Sequence, residues 1–162
     1  MKVVEIKKHG GPEVLYIGSR PVPKPKKNEV LVKVKAAGVN RPDILQREGD
    51  YPPPKDESDI LGLEVSGEVV ELGEKTKNIK IGDKVCALVS GGGYSEYCLA
   101  PYSQCLPIPK NINFEEASTI PETFFTVWFN LFIRNRIKKN EKILIHGGSS
   151  GIGTTAIQFA KN

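Results

Sequence analysis

Hydrophobic residues alternate with polar ones through much of the first two thirds of the chain. Glu29 to Lys35 sets Val30, Val32 and Val34 on one side and Glu29, Lys33 and Lys35 on the other, which predicts a half-buried β-strand. Val3 to Lys7, Val14 to Ile17, Glu64 to Glu71, Ile81 to Val89, Tyr94 to Leu99 and Gln104 to Ile108 read as further strands. Turn formers stand between them, among them His9-Gly-Gly-Pro12, Gly73 and Gly91-Gly-Gly93. Pro21-Val-Pro-Lys-Pro25 reads as an extended surface connector. Many short strands joined by Gly and Pro turns predict a small closed or nearly closed β-barrel.

The pattern changes after Pro109. Asn113 is placed to cap a short helix through Glu115-Glu116-Ala117. Pro121 then precedes a long helical run from Thr123 to Ile137 that ends in basic residues, as a helix C-terminus favours. Its Phe124, Phe125, Val127, Trp128, Leu131 and Phe132 form a broad apolar face suited to packing between two units. The boundary falls near residue 120, giving a first unit of residues 1–120 and a second of residues 121–162.

The most specific chemistry lies in the last 21 residues, from Lys142 to Asn162. Ile143-Leu-Ile145 suits a buried parallel strand, and Gly147 to Gly153 is a glycine-rich turn opening a helix. Gly151-Ile152-Gly153-Thr154-Thr155-Ala156 fits the G-x-G-x-x-G/A pattern in which bare backbone N–H groups at a helix start hold a pyrophosphate. Ser149 and Ser150 add hydroxyl donors. A P-loop is disfavoured, since Thr154 stands where that motif needs Lys. The plainer alternative is a strand-to-helix turn with no ligand. The residue that separates NAD from NADP is expected about 20 residues beyond the motif. Only the first strand and helix of a nucleotide-binding unit are therefore expected here, as the start of a truncated Rossmann domain.

Composition narrows the classes. The chain has 162 residues, 39% of them hydrophobic, enough for one domain and the beginning of a second. There is no apolar run of about 18 residues and no signal-peptide core. The three cysteines, Cys86, Cys98 and Cys105, are odd in number and lack C-x-x-C spacing, which favours a reducing cytoplasm over a disulfide framework. The net charge of +4 is spread over scattered lysine clusters that read as solvated surface, not a nucleic-acid face.

A second constellation follows the Glu29–Lys35 strand. In Ala37-Gly-Val-Asn40-Arg-Pro-Asp43, Asn40 is a good helix N-cap and Asp43 falls at the third helical position, where a carboxylate is favoured. Capping alone accounts for both residues. The alternative is that they line a barrel mouth facing a cofactor. Tyr51, stiffened by Pro52-Pro53-Pro54, would then offer a rigid phenol to a flat carbonyl substrate. Tyr51 and Lys55 also spell Y-x-x-x-K, but the intervening prolines forbid the helix that catalytic pair requires.

Taken together, these segments resemble the zinc-free quinone oxidoreductase (zeta-crystallin-like) branch of the medium-chain dehydrogenase/reductase superfamily. The carrying residues are Gly10-Gly11-Pro12-Glu13, Gly38-Val-Asn40-Arg-Pro-Asp43, Leu61-Gly62-Leu63-Glu64, Gly67, Gly82-Asp83-Lys84-Val85 and Gly147 to Gly153. The resemblance implies a mainly β chain: a GroES-like catalytic barrel, a connecting helix and the first strand-loop-helix of a truncated Rossmann domain. It implies hydride transfer from NADPH to a quinone, with Asn40, Asp43 and Tyr51 lining the substrate and nicotinamide pocket. Thr126 would contact the nicotinamide, and Ser150, Gly151, Ile152 and Gly153 would hold the pyrophosphate. Zinc-bearing relatives have Cys where Asn40 stands and His where Leu63 stands, so no metal is expected. Glu64 is expected to be buried with a partner. Reduction of an enone or enoyl thioester is the runner-up activity, and a non-catalytic GroES-like binding module the rival class. The resemblance further implies a cytoplasmic homo-oligomer, dimer or tetramer, when full length; these 162 residues alone are expected to be inactive.

Overall fold

The computed structural model describes residues 1–161, so Asn162 of the expected second unit lies outside the described residues. Among the described residues seven strands form: β1 (Lys2–Ile6), β2 (Leu15–Ser19), β3 (Glu29–Ala37), β4 (Glu64–Leu72), β5 (Lys84–Leu88), β6 (Tyr97–Pro101) and β7 (Cys105–Pro107). Five of them make an antiparallel sheet in the order β6-β3-β4-β5-β7, and β1 and β2 pair as a separate antiparallel hairpin. The hairpin is stitched to the sheet just before β6, where Val3 bridges Ser95 and Val4 N–H donates to Tyr94 O at 2.8 Å. Val30, Val32, Val65, Val69, Val85, Ala87, Cys98 and Ala100, all from β3 to β6, pack into one buried core cluster. All are β-branched or small, which suits a narrow barrel interior.

The alternation read from Glu29 to Lys35 holds only in part. Val30 and Val32 are fully buried and Lys33 is exposed, but Leu31 is buried as well and Val34 only half so. The β3–β4 register slips at Leu31/Val32 and again at Val34/Ala36. Such bulges turn the strand and change which residues face inward, and they bend a flat sheet toward closure. The run from Ile81 to Val89 pairs only from Lys84. Gly82 adopts φ +89° in a turn whose N–H donates to Val69 O at 2.8 Å, and Ile81 is left exposed.

Four helices follow the patterning more closely. α1 spans Arg41–Glu48 and stops at Gly49, whose φ of +96° is the left-handed conformation that ends helices. α2 (Phe114–Ala117) is capped as expected: Asn113 Oδ1 accepts from Glu116 N–H at 2.7 Å, and Glu116 Oε2 accepts from Asn113 N–H at 3.0 Å. α3 (Pro121–Trp128) widens into a π-helical turn over Phe129–Arg134, so the long helix ends before Ile137. α4 covers Gly151–Lys161, and its Phe159 ring packs edge-on against Phe124, Trp128 and Phe132.

One expected element does not form. Ile143 to Ile145 is irregular chain without a strand partner, and Leu144 is 85% exposed. A parallel strand is held by the neighbours it hydrogen-bonds, and none lies beside this segment among the described residues. The glycine turn and α4 form without it. Ala156, expected to pack on that strand, is buried all the same.

Candidate active site

β3 ends at Ala37, and the chain turns through Gly38 to enter α1. Asn40 occupies the N-cap and forms a capping box with Asp43. Asp43 Oδ2 accepts from Asn40 N–H at 2.7 Å and from the Tyr94 hydroxyl at 3.0 Å, while Oδ1 accepts from Gly62 N–H at 3.2 Å. Asp43 is only 3% exposed. Burial pushes its carboxyl above the usual range, and the donors from Asn40, Tyr94 and Gly62 offset part of that rise. The Tyr94 phenol is driven up by burial and by the Asp43 charge.

Glu64, the first residue of β4, is buried beside Asn40. Its Oε1 accepts from Asn40 Nδ2 at 2.8 Å, and its Oε2 accepts from Glu122 N–H in the first turn of α3 at 2.9 Å. Burial raises the Glu64 carboxyl and the two donors pull it partly back. The carboxyl of Glu122 is also raised, by burial and then by the Asp43 charge. Among the described residues, no group of three or more His, Cys, Asp or Glu side chains is placed to hold a metal ion.

Two cavities lie here, one lined by Glu64 and the other by Glu122. The first, of about 350 Å³, is lined by Val39, Asn40, Glu64, Thr123, Gly151 and Thr155 among others. The N-cap of α1, the first turns of α3 and the start of α4 thus face one space. The second, of about 190 Å³, is lined by Tyr51, Pro53, Leu63, Val89 and Glu122 among others. Tyr51 is 44% exposed at its edge. Asn40 and Tyr51 therefore sit on neighbouring cavities, and Asp43 is buried outside the lining of either one.

Ser150 organises the glycine turn. Its Oγ donates to Gly147 O at 2.7 Å and accepts from Gly153 N–H at 3.0 Å, and its carbonyl accepts from Thr154 N–H at 2.8 Å. The Gly151 and Ile152 N–H groups remain as first-turn donors, pointing along the positive end of the helix dipole. A Cβ on Gly153 would lie 2.7 Å from Gly148 Cα, so the close approach of helix and turn depends on glycine there. These features fit a pyrophosphate, which needs bare backbone donors and no intruding side chain.

Thr126 does not line the cleft. It sits one turn further along α3 on the same face as Thr123, and its carbonyl accepts from Asn130 Nδ2 at 2.8 Å. Thr123 lines the cleft instead, and a methyl on Gly151 would meet Thr123 Cγ2 at 3.1 Å. Neither Thr123 nor Glu122 was expected in the site. Their signal was Pro121, which fixes the start of α3 one residue before Glu122.

The quinone oxidoreductase of Sus scrofa is 36% identical over 163 residues, covering 99% of this chain and 50% of that protein. A mycobacterial structure complexed with NADPH superposes with a TM-score of 0.86 at 32% identity, over 99% of this chain and 50% of that one. The CurK enoyl reductase superposes with a TM-score of 0.88 at 28% identity, over 99% of this chain and 51% of that one. The chain spans about half the length of these curated relatives. Residues 26–110, more than half of the chain and including β3 through β7, α1 and Glu64, match the alcohol dehydrogenase GroES-like domain, and the chain belongs to that family.

Proposed function

We propose that this chain supplies the substrate side and the first phosphate-binding turn of an NADPH-dependent, zinc-independent quinone oxidoreductase. The observation that carries the reading is the shared cleft: Asn40, at the N-cap of α1, and Gly151, at the start of α4, line one space. Residues 1–120 would form the substrate unit, and residues 121–162 the connecting helix and the start of the nucleotide unit.

NADPH, when bound, supplies a hydride from its dihydronicotinamide ring. The chain's own part is placement. Gly151 and Ile152 would hold the pyrophosphate by their backbone N–H groups, while Gly153, its N–H bonded to Ser150 Oγ, would let the turn pack close beneath it. Asn40 and Thr123 border the nicotinamide, with Thr126 one turn behind. Asp43 acts on the pocket through its hold on the Asn40 backbone. Tyr51 borders the cavity assigned to the quinone, where it can stack on the ring or hydrogen-bond its carbonyl. A quinone is electrophilic enough that positioning and exclusion of water suffice, with protons returned from solvent.

Reduction of an enone or enoyl thioester is the second reading, because its enolate needs a proton and Glu122, raised by burial, lines the Tyr51 cavity. The free thiols fit a reducing cytoplasm, Cys98 and Cys105 both being pushed up to about 12 by burial. By analogy with the family the native assembly is a homo-oligomer, dimer or tetramer. The test is the nicotinamide absorbance with a benzoquinone or an enoyl thioester as acceptor. A protein that continues this chain to the length of its relatives oxidises NADPH fastest with the quinone, and these 162 residues alone leave the absorbance flat. No oxidation with either acceptor would leave a non-catalytic GroES-like module.

A further inference from the structure

Glu64 is a buried carboxylate that makes no ion pair among the described residues. Among the described residues every ion pair involves Arg20 or Arg47. An apolar side chain would cost less at this place. The surroundings are nevertheless shaped for the carboxylate, since a methyl group on Gly38 would run into it. Its two bonds reach separate walls of the cleft: the side chain of Asn40 on one and the backbone of Glu122 on the other.

An ionised carboxylate accepts at both oxygens and donates at neither. Facing it, the Asn40 amide has to present its NH2 group, which leaves the amide oxygen turned away from β4. Meanwhile the other oxygen holds the first turn of α3, which carries Thr123 into the cleft. We infer that Glu64 is a positioning residue, a two-acceptor clamp that fixes the orientation of the Asn40 amide and the spacing between α1 and α3. The ligand that gains from the clamp is the one under Proposed function, a nicotinamide nucleotide, and the inference rests on that reading for the ligand only.

The chemistry gives a test by exchange of polarity. In Glu64→Gln the introduced amide has one acceptor for two donors. It can keep Glu122 N–H on its oxygen, but its NH2 then opposes the NH2 of Asn40, which is lost or forced to flip. The double variant Glu64→Gln/Asn40→Asp restores complementarity, because the introduced carboxylate accepts from the introduced NH2.

NADPH affinity and the thermal midpoint would be measured at neutral pH for the wild-type chain and both variants. The clamp predicts about tenfold weaker NADPH binding in Glu64→Gln, recovery in the double variant, and no loss of thermal midpoint in the single variant. Unchanged affinity in Glu64→Gln would overturn the proposal. So would a parallel loss of affinity and midpoint that the second substitution does not restore, which is the mark of a merely structural residue. If the wild-type chain itself shows no NADPH binding, the nucleotide reading is judged on a protein that continues the chain to the length of its relatives, and the clamp is judged by NMR. Joint displacement of the Asn40 side-chain NH2 and Glu122 N–H signals in Glu64→Gln supports it, and undisplaced signals overturn it.

Discussion

Gly153 and Gly148 approach so closely that a side-chain carbon on Gly153 would stand 2.7 Å from Gly148 Cα. The turn and the first turn of α4 are thus packed backbone to backbone, with Ser150 Oγ bonded to both Gly147 O and Gly153 N–H. Gly153→Ala is expected to cost about 1–3 kcal/mol by overpacking, read from urea denaturation, and to weaken NADPH binding further by tilting the first-turn donors. Gly151→Ala meets only a methyl of Thr123 and is expected to cost less. Equal losses for the two would show that the close approach does not govern the turn.

Tyr51 separates function from stability. It is exposed at the rim of its cavity, so Tyr51→Ala is expected to leave the denaturation midpoint within about 0.5 kcal/mol. Quinone turnover in a protein that carries the chain is expected to fall. Unchanged steady-state kinetics would remove Tyr51 from the mechanism.

Asp43 gives the reverse pattern. It satisfies Asn40 N–H, Gly62 N–H and the Tyr94 hydroxyl while nearly inaccessible to solvent. Asp43→Ala strands those donors and is expected to lower stability by about 2–4 kcal/mol. Chemical denaturation checks it, and a loss below about 0.5 kcal/mol would mean that water replaces the carboxylate.

The buried carboxyls also set a pH dependence. Glu64 has a raised pKa in the folded chain, so folding favours its protonated form. Its contribution is therefore greatest below the ordinary carboxylate range and is lost as pH rises through the raised value. Asp59, held low by Arg20, runs the other way: its contribution is present above the ordinary range and is lost as pH falls through the lowered value. The stability of wild type minus that of Glu64→Gln, from urea curves at several pH values, is expected to fall between the ordinary carboxylate range and neutrality. A flat difference would show that Glu64 titrates alike in the folded and unfolded chain.

Local signals carried most of what could be read in advance. The capping bonds of Asn40, Asp43 and Asn113 reach only three residues along the chain, and the structure places each at the helix start that its type favours, whereas the bonds of Asn40 to Glu64 and of Asp43 to Gly62 and Tyr94 are long-range. The Ser150 to Gly153 turn is local in the same way. What escaped was non-local. The bond from Glu64 to Glu122 spans 58 residues, and nothing at either position shows that β4 and α3 meet there. The bulges in β3 depend on its partner β4, so alternation alone overstated the burial of Val34 and missed Leu31. Ile143 to Ile145 has strand composition, but pairing requires a neighbour that the described residues do not provide.

The central claim is that the cleft between Asn40, Thr123 and Gly151 receives a nicotinamide dinucleotide. Titrating NADPH into isotope-labelled chain and following backbone amides tests it most directly. The expected shifts cluster on Asn40, Thr123, Gly151, Ile152 and Gly153, while the separate cavity beside Arg20 and Tyr97 stays unchanged. Shifts confined to that other cavity, or none at the turn under saturating NADPH, would contradict it.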